Sequence, residues 1–102
     1  MKVSKSFETF VKEAPEVHSA WMEAVQKFDK ASKLDRKTEE LCYISVMSAV
    51  RLESGIPFHV KMAKQLGATR DEIISTVLVG LPAVGNVVTN SLPIALEAFD
   101  EE

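Results

Sequence analysis

Apolar residues along most of this chain recur at three- and four-residue steps, the spacing that gathers side chains on one face of an α-helix. No stretch alternates as a half-buried strand does, and no unit repeats at a fixed period. Phe7, Phe10, Val11 and Ala14 predict a short helix over 6–14 with Ser6 as N-cap. Pro15 closes it and, being well suited to a first helical position, opens a second helix whose stripe is Val17, Ala20, Trp21, Ala24, Val25 and Phe28. Asp35 is placed to cap a third helix reaching about Leu52, with Glu39 and Glu40 near the positive end of its dipole. The apolar residues of that helix cover more than one stripe, which marks it as central and packed on several sides.

A break at Glu53-Ser54-Gly55-Ile56-Pro57 follows, then a helix from about Pro57 to Leu66 with Gly67 as its left-handed stop. Thr69 and Glu72 form a capping box for the next helix, which carries Ile73, Ile74, Val77, Leu78 and Leu81 before meeting Pro82 and Gly85. From Ile73 to Leu96 there are 24 residues without a charged side chain. Ser75, Thr76, Asn86, Thr89, Asn90 and Ser91 interrupt that run and Pro82, Gly85 and Pro93 divide it, so a membrane span is not expected. A final helix or kinked pair, with Val87, Val88, Leu92, Ala95, Leu96 and Phe99 apolar, completes an all-α fold of five to six helices in a single domain, 1–102.

Size adds an expectation about assembly. A folded 11.3 kDa chain exposes roughly 5,700 Å² and has a thin stability margin, while 46% of its residues are hydrophobic. Homo-oligomerisation through residues 73–99 is therefore expected; the alternative is a monomer whose last two helices are simply its core. Twelve basic against fifteen acidic side chains, without a basic cluster beyond Arg36-Lys37, exclude the footprint of a nucleic-acid binder. A lone cysteine cannot form an internal disulfide and Met1 to Ser6 lacks an apolar signal run, so a cytoplasmic protein is expected.

Candidate chemistry is sparse: two histidines, one cysteine and no cluster with metal-ligand spacing, so no cofactor or metal is expected. His59 stands at a helix start beside the Gly/Pro turn, where a polar group can face a cavity. The bland alternative makes it a core histidine bonded to a carbonyl, with Glu40 only a dipole-favouring residue. His18 is read as surface, Met22, Met47 and Met62 as packing, and Cys42 as an inert core residue of the central helix.

The series Lys37-Thr38-Glu39-Glu40-Leu41, an apolar helix, a turn, His59, Ala63, Gly67-Ala68-Thr69 and Asp71-Glu72-Ile73 resembles the carboxymuconolactone decarboxylase family, which includes the alkylhydroperoxidase D-like proteins. The resemblance covers about 15–99. It implies an all-helical subunit assembling as homo-trimers or homo-hexamers, with sites for a small-molecule ligand near the central helices. In the redox branch, the turn holds Cys-x-x-Cys-x-x-x-His, with a proton-relay glutamate nineteen residues before the histidine; His59 and Glu40 match these two. The thiol positions are Leu52 and Gly55, so the attacking and resolving cysteines of a dithiol peroxidase are missing.

The decarboxylase branch needs proton transfer but no thiol, and an imidazole with a carboxylate beside it suits that work. His59 and Glu40 are accordingly the expected catalytic residues of a carboxy-lyase-type enzyme acting on a small acidic molecule. The alternatives are an antioxidant role through Cys42 and a non-catalytic oligomeric binding module. A simple antiparallel hairpin about Ser54 would place Glu40 about 21 Å and His59 about 7 Å from the turn, too far apart to touch.

Overall fold

A computed structural model describes residues 3–101 of the chain. Its helices are α1 (Lys5–Glu13), α2 (Pro15–Ala31), α3 (Arg36–Val50), α4 (Ile56–Gln65), α5 (Arg70–Leu78), α6 (Leu81–Val84) and α7 (Leu92–Asp100), with 3₁₀ segments at Glu53–Gly55 and Asn86–Ser91. There is no strand among the described residues.

Local chemistry accounts for the boundaries. Asp35 accepts the Thr38 N–H at 2.8 Å to start α3. At the start of α5, the Thr69 hydroxyl accepts the Glu72 N–H while the Glu72 carboxylate accepts the Thr69 N–H, closing the capping box. Gly67, at φ +97°, ends α4 as the sequence predicts: its N–H reaches the Lys64 carbonyl and the Ala68 N–H reaches that of Ala63, a complete Schellman motif. Ser4, rather than Ser6, caps α1 by accepting the Phe7 N–H. The third helix stops at Val50 because Arg51 takes the left-handed conformation, φ 63°. The uncharged run after Ile73 divides into α5, α6, the second 3₁₀ segment and α7, with Pro82 and Pro93 each seated in a first helical turn.

The core lies where α3, α4, α5 and α7 meet. Ile44, Ile56, Val60, Ile73, Val77 and Ala95 are fully buried there. Each Ile or Val contributes about 1.5–3 kcal/mol of transfer free energy, which makes this cluster the main stabilising feature. The C-terminal end of α7 is tied back by the Arg70–Asp100 pair, by Lys61 to Glu101 at 2.9 Å and by Lys64, which donates to the Phe99 carbonyl and lies over its ring. Lys61 and Lys64 thus both have partners at this end of the fold.

The first two helices differ from this. They pack on each other through Phe7 and Phe10, whose rings meet His18 edge-on at 5.5 and 5.6 Å, so His18 is half-buried and not freely exposed. Neither α1 nor α2 contributes a buried residue, and the stripe of α2 faces outward.

Candidate active site

Glu40 lies in the second turn of α3 and His59 at the end of the first turn of α4. The structure brings them together: His59 Nδ1 and Glu40 Oε2 are 2.6 Å apart. The antiparallel-hairpin expectation fails because the 3₁₀ turn folds back along α3 before α4 begins. Gly55 lies so near Met47 that a Cβ there would sit 2.8 Å from the methionine sulfur. Starting beside Met47, α4 needs only close about 6 Å of axial offset at 1.5 Å per residue, within the joint reach of the two side chains.

Glu40 is 6% exposed, whereas the His59 side chain keeps 28% of its surface open. A carboxylate can only accept, so at this distance the Nδ1 of a neutral His59 carries the proton and Nε2 keeps a lone pair. His59 Nε2 has no hydrogen-bond partner among the described residues. The partner of His59 is therefore a carboxylate, not the backbone carbonyl of the bland alternative.

Residues that the periodicity placed only as apolar or helix-start positions complete the surroundings. Tyr43 and Phe58 meet the imidazole edge-on, at centroid distances of 5.4 and 5.3 Å. Tyr43 sits one turn after Glu40, a spacing that names it as a neighbour once Glu40 is taken as the site. Burial pushes the Tyr43 phenol upward from its ordinary value, and the carboxylates of Glu39, Asp29 and Glu40 push the same way, so the hydroxyl stays a proton donor through neutral pH. Glu39 is buried beside Glu40 and has no ion-pair partner among the described residues.

The positions that lack thiols are also informative. Leu52 is largely exposed and does not fill the site, and Gly55 is at the first turn of α4. Cys42 is not a core residue: it is exposed, on the wall of an open groove of about 460 Å³ between α3 and α5. Central α3 is covered on its Ile44 and Ser48 side but leaves the Cys42, Val46 and Val50 row outside. Leu41, Ser45, Thr76 and Val79 share the groove, and no histidine or cation lines it. No group of three or more metal-ligating side chains occurs among the described residues. None of the helices described is long and apolar enough to cross a membrane.

The described chain is all-helical, with a buried carboxylate holding an imidazole across two central helices. Residues 15–97 match the profile of the carboxymuconolactone decarboxylase family, and the chain belongs to that family. It is also similar to the apo crystal structure of a carboxymuconolactone decarboxylase family protein from Legionella pneumophila, with a TM-score of 0.78 and 30% identity over 93% of this chain and 85% of that one. No functionally curated protein matches it significantly.

Proposed function

We propose that the chain catalyses proton transfer on a small, acidic molecule, of the decarboxylating or double-bond-shifting type, at His59 with Glu40 behind it and without dithiol redox chemistry. The observation that carries this is the 2.6 Å pair that leaves Nε2 unpartnered. Glu40 holds Nδ1–H, which fixes the ring and stabilises the imidazolium when Nε2 takes a proton. In an isomerisation, Nε2 removes a proton from carbon beside a carbonyl and returns it to another carbon. In a decarboxylation, loss of CO₂ leaves an enolate that the imidazolium protonates, with the proton then replaced from solvent. The half-exposed imidazole edge against Tyr43 and Phe58 suits a flat, conjugated substrate. The test is a panel of carboxylated lactones incubated in D₂O and followed by proton NMR. Deuterium entry at carbon with the wild type, lost in His59→Ala while helicity is unchanged, is the expected result; equal exchange in both proteins removes His59 from the mechanism.

A second reading, an antioxidant role through Cys42, is favoured by the exposure of that thiol. Against it stands the lining of its groove, which offers Glu72 but no cation or imidazole to favour a thiolate. Peroxide consumption that disappears in Cys42→Ser would restore it.

A further inference from the structure

We propose that Glu39 is a binding residue for the small acid and takes it in the protonated form, its carboxylate sharing one proton with the ligand's carboxyl group. This rests on the reading of His59 as a centre of proton transfer on an acidic molecule, and it names the form in which that molecule is held. Glu39 is 8% exposed, yet its carboxylate has neither a hydrogen-bond nor an ion-pair partner among the described residues. Taking a carboxylate out of water without a partner is costly, so the buried Glu39 is left in want of a hydrogen-bond donor. A ligand can reach it: among the described residues, Ser91 Oγ is the unpartnered side-chain oxygen that is fully sealed from solvent, and those of Glu39 are not sealed. Glu39 precedes Tyr43 by one helical turn, and of all the charges around the Tyr43 phenol its own acts most strongly. Tyr43 in turn lies edge-on to the His59 ring, so the unpartnered carboxylate stands beside the aromatic wall of the site.

Charge decides which donor an acidic ligand can bring. The titratable groups around Glu39 and Tyr43 are Glu40 on the same helix, Asp29 from α2, and His59 from α4, whose Nδ1 is taken up by Glu40. Lys37, Arg51 and Lys61 pair with other carboxylates, and Arg36, one turn before Glu39, pairs with none. An ionised acid would thus meet three carboxylates, and like charges at close range cannot all stay ionised. Two carboxyl groups that share a single proton remove one of those charges and give Glu39 the donor it lacks. The balance is simple. An acid that is ionised in solution takes up one proton from solvent as it binds, that proton lies between the ligand oxygen and Glu39, and nothing is oxidised or reduced.

Titration calorimetry on the full chain tests this with benzoate and benzamide, flat probes of one shape, the second a neutral mimic of the protonated acid. At about pH 8, benzoate binding to the wild type is expected to take up about one proton, counted from the heats in two buffers of different ionisation enthalpy. Its affinity should fall about tenfold for each further pH unit. Benzamide is expected to bind more tightly than benzoate and without proton uptake. In Glu39→Gln, whose amide can donate to an ionised carboxylate, the uptake should vanish and benzoate should bind about tenfold more tightly than to the wild type. A merely structural Glu39 predicts neither change. Proton uptake that persists in Glu39→Gln, benzoate that binds the wild type as tightly as benzamide does, or a wild type that binds neither probe overturns the proposal. If Glu39→Gln loses its helical circular dichroism, the comparison of the two probes on the wild type decides. Neither probe can be turned over, so failure here strikes Glu39 alone, whereas absent deuterium entry strikes the reading at His59.

Discussion

The α3–α4–α5–α7 core and the α1–α2 arm are built from the same kind of sequence, helices with a regular apolar face, yet they end differently. In the core, Ile44, Val60, Ile73 and Val77 meet one another and lose all contact with water. In the arm, Trp21 and Phe28 are as regularly spaced and remain outside. Periodicity thus shows that a face exists to be covered, but not which molecule covers it. The Glu40–His59 pair falls on the core side of this division, where two packed helices hold the two side chains in register.

The largest expected effect breaks that contrast directly. Ile73→Ala should lower unfolding free energy by about 3 kcal/mol, as large-to-small changes in a closed core do. Val17→Ala on the arm should change it by no more than about 0.5 kcal/mol at low protein concentration. Urea denaturation of the two variants beside the wild type reads the contrast directly.

A backbone change inside the core region comes next. Gly67→Ala places a Cβ at φ +97°, where nothing crowds it but the conformation itself is unfavourable, and should cost about 1 kcal/mol in thermal unfolding. Gly55→Ala meets only the flexible end of Met47 and should cost less.

Acid should give the smallest effect and act through the core helices. The Asp35 carboxyl is held below its ordinary value chiefly by the Thr38 N–H, that of Glu72 by the Thr69 N–H, and that of Asp100 by the Arg70 guanidinium. A folded pKa below the unfolded one makes the stabilisation complete above the ordinary values of 3.8 for Asp and 4.5 for Glu. It is lost as pH falls through the depressed folded values. The melting temperature should therefore decline below about pH 4.5, less steeply in Glu72→Gln.

Much of this architecture is legible in residue order, because Pro15, Asp35, Gly67 and the Thr69–Glu72 box each act through neighbouring backbone groups. Features set by tertiary folding are not. The Glu40–His59 contact depends on a 3₁₀ turn that folds back beside Met47, which no helix count reveals. The surface position of Cys42 depends on which sides of α3 are covered, and the half-burial of His18 depends on Phe7 and Phe10 coming from another helix. The series that resembles the family did single out both members of the pair, although it could not say that they touch.

In the proposed isomerisation, proton abstraction by His59 requires an unprotonated Nε2, which Glu40 would secure by keeping the proton on Nδ1. Nitrogen-15 NMR of the histidine rings, in the neutral form, reads that tautomer directly and needs no substrate. The predicted spectrum shows His59 protonated at Nδ1 in the wild type and reverting toward the Nε2–H form in Glu40→Ala. A wild-type His59 already protonated at Nε2, with Nδ1 bare, would contradict the arrangement from which the chemistry was derived.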